Sequence, residues 1–245
     1  MSGHAKNTNM NNLYKNKEEL IKKLVTKNDV VLDVGFWGQG LKIDNPNWAH
    51  KFLIEQAKEV YGLDTDYDPD KIKNTERYKR GNAEDFTFDV KFDVIFAGDL
   101  IEHLSNPGLF LQSCANNLKE RGKILITTPS CFNLFNLAEK LTKEEPTVNS
   151  DHACYFNYKT LLTLLRKNHF RIIETSFLYS LGMNHKESYK KKILNIIYFF
   201  LSKFTAKFME TLVVVAQKEV CPVIQPRKVA PGDHEMTVIA RHNQD

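Results

Sequence analysis

Val31-Leu32-Asp33-Val34-Gly35-Phe36-Trp37-Gly38-Gln39-Gly40 is a short apolar run closed by a carboxylate, with a glycine two residues later and a glycine-containing loop after it. So brief a run of aliphatic and β-branched residues, bounded by turn chemistry, predicts a buried strand over Val30 to Val34. Upstream, Leu13, Leu20, Ile21, Leu24 and Val25 among Lys and Glu predict a helix over Leu13 to Lys27 that leads into it. Downstream, the pattern predicts a helix over Trp48 to Val60, a strand over Tyr61 to Asp64 and a brief helix opened by Asp68-Pro69. A polar strand, Arg77 to Arg80, and a buried one, Phe92 to Ala97, come next.

The alternation continues. Ser105-Asn106-Pro107 supplies cap chemistry for a helix ending near Lys119, and Gly122 precedes a strand over Lys123 to Thr128. Helices over Asn133 to Leu141 and Tyr158 to Lys167, a strand over Phe170 to Phe177, a long helix over Tyr189 to Phe208 and a strand over Thr211 to Ala216 complete the reading. Repeated strand and helix argue for a doubly wound, mostly parallel α/β sheet with helices on both faces. A second strand-like run, Met236 to Ala240, competes with Thr211 to Ala216 to complete it.

In such a sheet a ligand sits beyond the carboxyl ends of the strands, so the residues just after each strand carry the chemistry. Asp33 leaves the first strand and Gly35 lets a ligand approach the backbone closely. Asp64, about thirty residues on, can accept hydrogen bonds from both hydroxyls of a ribose. The third end reads Gly81-Asn82-Ala83-Glu84-Asp85, and the fourth Phe92-Asp93-Val94-Ile95-Phe96-Ala97-Gly98-Asp99-Leu100-Ile101-Glu102-His103-Leu104. With Gly122-Lys123-Ile124-Leu125-Ile126-Thr127-Thr128-Pro129 as a fifth element, residues 28 to 130 resemble, in order and spacing, the class I S-adenosylmethionine-dependent methyltransferases.

The resemblance implies a seven-stranded sheet and S-adenosyl-L-methionine as cofactor. Asp33 and Gly35, with Trp37 and Gln39 in the loop after them, would then border its methionine end, Asp64 would hold the ribose, Asn82 with the Ala83 amide would read the adenine edge, and Asp99 and Leu100 would be further cofactor-binding residues. Trp37 and Gln39 stand where the family usually has glycine. Thr128-Pro129-Ser130, Asp151-His152 and a helix opening at Tyr158 resemble one branch of the family, which includes O-methyltransferases of quinone, glycan and small-molecule pathways. The reaction this implies is transfer of a methyl group to oxygen in a small-molecule or glycan-precursor acceptor, with His103 or His152 as base. Methylation of a phosphorus-bound oxygen or an RNA hydroxyl is an alternative, and so is a cofactor-binding regulatory or scaffold protein without turnover. His50 and His169 read as histidines that only pack.

Asp99, Glu102 and His103 at spacings of three and four would share one helical face, and His152 arrives from a later loop. The set resembles the ligands of metal-dependent ubiquinone-pathway and small-RNA 2′-O-methyltransferases, which implies Mg²⁺, Mn²⁺ or Fe²⁺ bound by Asp99, Glu102, His103 and His152. A nicotinamide enzyme is excluded by the missing pyrophosphate glycine spacing.

At 245 residues with 42% hydrophobic and 26% charged, the chain has ordinary globular composition. A net charge of +4 does not argue for duplex nucleic acid. Cys114, Cys131, Cys154 and Cys221 lie far apart, without the spacing of a zinc knuckle or a disulfide ladder. With no apolar leader among residues 1–12, the expected location is cytoplasmic. The expected organisation is a disordered tail (1–12), a methyltransferase domain (13–218) with a helical insertion or lid at 188–209, and an extension (219–245). Ile193, Ile196, Ile197, Phe200, Leu201, Phe204 and Phe208 form one stripe of the insertion, ringed by lysines. That stripe can cover the acceptor pocket or a second subunit, which makes a homodimer an expectation, or it can lie on a membrane surface.

Overall fold

The computed structural model describes residues 13–38, 45–72, 76–179, 197, 199–200, 205 and 208–219. The expected tail, most of the expected helix over Tyr189 to Phe208, the run Met236 to Ala240 and Gln39 lie outside the described residues. β1 (Leu13–Tyr14), α1 (Lys17–Leu24), β2 (Val30–Val34), α2 (Ala49–Gln56), β3 (Glu59–Asp64) and β4 (Tyr78–Arg80) form the first half. β5 (Phe92–Gly98), a 3₁₀ turn (Ile101–His103), α3 (Pro107–Asn117), β6 (Leu118–Pro129), α4 (Leu134–Lys140), α5 (Tyr158–Lys167), β7 (Phe170–Leu178) and β8 (Thr211–Lys218) form the second.

The described sheet has eight strands in the order β1-β7-β8-β6-β5-β2-β3-β4, one more than expected. The addition is β1: Leu13 and Tyr14 pair with Phe177 and Leu178 in parallel instead of opening a helix. Tyr14 is held there by its hydroxyl, which donates to Glu174 at 2.7 Å. The helix starts only at Lys17, where Asn16 caps the Glu19 amide at 2.8 Å. Among the described residues the expected helix at Asp68-Pro69 is no more than turns, and the second helix stops at Gln56 because the chain must enter β3 at Glu59. β8 is antiparallel to both β6 and β7, and all the other strand pairs are parallel.

Both faces of the sheet are covered, so its central strands read as nearly continuous apolar runs. Leu32, Ile95, Ala97, Ile124, Ile126 and Val214 point to the face closed by α3 and α5 through Phe110, Leu111, Leu161 and Leu165. The alternate residues Val31, Val94, Phe96, Leu125 and Val213 meet Leu20 and Ile21 of α1 and Leu53 of α2. From β2 the chain winds outward through β3 and β4, then returns to lay β5 on the other side of β2. That reversal opens a crevice between the carboxyl ends of β2 and β5, where Asp33 and Asp99 stand.

Candidate active site

A cavity of about 540 Å³ occupies this crevice. Of the expected cofactor residues, Asp33, Gly35, Asp64, Asp99 and Leu100 line it. Trp37, Asn82 and Ala83 are not among its lining residues. Asn82 is engaged locally: its side-chain oxygen accepts from the Glu84 amide at 2.9 Å.

Gly35 has a φ of +81°, and a side chain there would begin 3.2 Å from Leu100 Cδ1, so the turn after β2 requires glycine. The Gly35 amide donates to Leu63 O at 2.8 Å, tying the turn to β3. Asp64 is oriented from both sides, accepting from the Trp37 amide at 3.0 Å and the Asp66 amide at 2.9 Å. Trp37 thus contributes a backbone hydrogen bond that shapes the loop, while its ring packs edge-on against Phe36 and Tyr67.

Asp33 is buried, and burial raises its pKa. Its Oδ2 lies 2.9 Å from Nδ1 of His50, which has no exposed surface, and His50 Nε2 lies 3.1 Å from the Tyr78 hydroxyl. His50 therefore does more than pack, which a lone histidine on a helix does not reveal in sequence. Lys17 is the second residue the sequence conceals. It sits at the start of α1, in a segment rich in Lys and Glu, and its Nζ reaches Asp99 Oδ2 at 2.7 Å. Lys17 is the sole Lys or Arg among the described lining residues, against the carboxylates of Asp33, Asp64, Asp66, Asp99 and Glu102.

The end of the cavity that holds Glu102 and His103 is built on the turn after β5. Helical geometry is not what assembles it: Asp99 has a left-handed φ of +52°, and only Ile101–His103 form a 3₁₀ turn. Asp99 is consequently turned away to Lys17 and to the Thr127 hydroxyl, which donates to it at 3.1 Å. Burial works to raise its pKa, but the Lys17 ammonium and these hydrogen bonds hold it below the ordinary carboxylate value. Glu102 is buried and its pKa is pushed up to about 8, by burial first and then by the charge of Asp99. The Thr128 hydroxyl donates to Glu102 Oε2 at 2.8 Å.

The loop that carries His152 is pinned to the same turn, since the Ala153 and Cys154 amides donate to Glu102 O at 2.8 and 3.0 Å. The rings of His103 and His152 meet edge to face with centroids 4.6 Å apart. Burial lowers the pKa of His152, and His103 lowers it further. Ligand atoms of Glu102, His103 and His152 lie within 4.8 Å of one another, and Asp99 is not part of that cluster. Glu102 Oε1 and His103 Nδ1 are buried with no hydrogen-bond partner among the described residues. Orphaned polar atoms at this burial are costly unless a ligand completes them.

No curated protein matches the chain. Among solved structures, a candidate methyltransferase of Bacillus halodurans shares 19% identity, with 83% of this chain and 98% of that one covered at a TM-score of 0.53. An S-adenosylmethionine-dependent methyltransferase of Archaeoglobus fulgidus shares 18%, with coverages of 82% and 94% at 0.53. A Methanosarcina mazei S-adenosylmethionine-dependent methyltransferase shares 15%, with coverages of 81% and 96% at 0.51. At these identities the likeness establishes the fold. The family described as "Methyltransferase domain" matches residues 15–175. That stretch holds β2 to β6, the crevice and the His152 loop, and the chain belongs to this family, the class I S-adenosylmethionine-dependent methyltransferases.

Proposed function

We propose that the protein transfers the methyl group of S-adenosylmethionine to an oxygen of a small-molecule or glycan-precursor acceptor bound against Glu102, His103 and His152. The observation that carries this reading is the convergence of these three side chains, two with orphaned polar atoms, at one end of the cavity that Asp33 and Asp64 line. Asp64 takes the ribose hydroxyls, and Gly35 gives the methionine end room. The acceptor oxygen attacks the methyl carbon in line, the carbon–sulfur bond breaks with its electron pair going to sulfur, and S-adenosylhomocysteine leaves. The hydroxyl proton passes to His103 or His152. Because the sulfonium is already activated, the protein's main contribution is alignment, with proton removal adding about 10² to 10⁴.

The same three side chains fit a divalent ion: one carboxylate and two imidazoles suit Mn²⁺ or Fe²⁺ better than Mg²⁺. Held by Glu102, His103 and His152, such an ion supplies Lewis acidity that lowers the acceptor's pKa. The test is incorporation of labelled methyl across an acceptor panel, with and without chelator and with add-back of each ion. Loss in chelator and recovery on add-back supports the three residues as ligands. Full activity in chelator leaves the histidines as plain bases, and binding of the cofactor without transfer to any acceptor favours the regulatory alternative.

Lys17 is assigned to the cofactor's carboxylate, because that carboxylate must otherwise enter a cavity lined by acids. Lys17→Met is expected to weaken S-adenosylmethionine binding by about ten-fold, the loss of roughly 1.4 kcal/mol from one charge-assisted hydrogen bond. Decarboxylated S-adenosylmethionine, which keeps the ammonium and the sulfonium, should bind Lys17→Met as well as it binds the unaltered protein. Calorimetric titration of both ligands decides this, and equal losses refute the assignment.

A further inference from the structure

We propose that His50 is a positioning residue that holds the Asp33 carboxylate as acceptor for the α-ammonium of the cofactor, with Tyr78 fixing the orientation of its ring. The proposal rests on the reading of the cavity as the S-adenosylmethionine site. Three elements converge to make the arrangement: Asp33 is the penultimate residue of β2, His50 sits in the first turn of α2, and Tyr78 opens β4. Asp33, His50 and Tyr78 form a linear chain with steps of 2.9 and 3.1 Å. A phenol whose pKa is raised by burial stays protonated and donates to His50 Nε2, which leaves Nδ1–H to donate to Asp33. The imidazole can then serve both partners in its neutral form.

The surroundings fit a device that keeps one group still. His50 is sandwiched at centroid distances of 4.9 Å from Phe36 and 5.0 Å from Trp48, whose indole donates to Phe36 O at 2.6 Å. Neither ring nitrogen is left over for chemistry on a substrate. Asp33 and His50 both line the cavity, and so does Gly35, two residues after Asp33. An ammonium brought in beside Gly35 thus meets a carboxylate whose far side is already held.

Among the described residues, the charged and titratable groups that act on Asp33 are His50, Lys17 and Asp64, together with the Tyr78 phenol of β4. His50 from α2 and Lys17 from α1 favour its ionised form, and Asp64 from β3 opposes it, on top of the burial that raises its pKa. Removing the His50 hydrogen bond leaves burial less opposed, so Asp33 holds its proton to higher pH. A protonated Asp33 no longer attracts a cation. Cofactor affinity in a His50 variant must therefore rise as pH rises through the altered Asp33 pKa.

The test uses calorimetric titration of the full chain with S-adenosylhomocysteine between pH 6 and 9, alongside the analogue that lacks the α-amino group. His50→Leu is expected to bind S-adenosylhomocysteine about ten-fold more weakly at the acid end, with the loss shrinking as pH rises, and to bind the deaminated analogue unchanged. His50→Asn, whose amide can donate as Nδ1–H does, should recover most of the affinity, and Tyr78→Phe should show the same pH dependence at smaller amplitude. In an Asp33→Asn background, His50→Leu should add no further loss. Equal losses for both ligands at every pH would reduce His50 to a packing residue and overturn the proposal. Failure of the unaltered protein to bind S-adenosylhomocysteine would instead remove the cofactor reading beneath it.

Discussion

Glu102→Ala lowers kcat by about two to three orders of magnitude while leaving S-adenosylhomocysteine affinity within about two-fold of the unaltered protein, the size of effect expected when an acid–base or ligand group is lost from the reacting end alone. The separation follows from position. Glu102 and His103 lie on the turn after β5 and His152 on the loop pinned to it, whereas Asp33, Gly35 and Asp64, assigned to the cofactor, lie on β2, the turn that follows it and β3. Glu102→Gln provides the control for folding, because it keeps the side-chain volume and an acceptor for the Thr128 hydroxyl. A Gln variant that melts like the unaltered protein but has lost turnover places the defect in chemistry. A fall in kcat of less than about three-fold in both variants would show that the acceptor is bound elsewhere.

Gly62→Val produces the largest loss of stability expected of a single change near the site. Gly62 is in the middle of β3, and a Cβ there would lie 2.6 Å from Phe36 Cδ1 and 2.7 Å from Tyr78 Cδ1. Neither ring can yield cheaply. The two stack on each other at 5.1 Å, and Tyr78 is tied to His50 by its hydroxyl. Overpacking of this kind costs about 1 to 3 kcal/mol, and a branched side chain belongs at the upper end. For a domain of this size that range is a melting temperature lower by roughly 2 to 12 °C. Because the displaced rings support the Asp33–His50 contact, cofactor affinity should fall in parallel. Thermal melts of Gly62→Ala and of Gly62→Ala with Phe36→Leu give the check: the second change should restore part of the loss, and no restoration would mean that the strain is not at the Phe36 ring.

Most of the sheet is legible in sequence, because a strand covered on both faces is written as an unbroken apolar run, as in Val30–Val34 and Phe92–Gly98. The misreadings lie at edges. Leu13 and Tyr14 fit the helical stripe of α1 equally well, and only Phe177 and Leu178, more than 160 residues away, draw them into a strand. Asp68-Pro69 has helix-starting chemistry but no apolar face to bury, so it stays a turn.

The same division runs through the site. Asp33, Gly35, Asp64, Glu102 and His103 are visible in the sequence because strand ends in a doubly wound sheet concentrate chemistry at known offsets from apolar runs, and His152 through the resemblance to one branch of the family. What the residues do to one another is not visible there. Asp99 shares a spacing with Glu102 and His103 that a helix would have turned to one side, yet its left-handed backbone and the pull of Lys17 remove it from that cluster. His50 and Lys17 carry no signal at all, being one histidine and one lysine among many on amphipathic helices. The sequence by itself determined most of the sheet, its alternation of strand and helix and the acids at the strand ends, because those depend on local periodicity. The tertiary structure alone decided which charges pair across the crevice, because Lys17 with Asp99 and His50 with Asp33 meet only after α1, α2, β2 and β5 have packed.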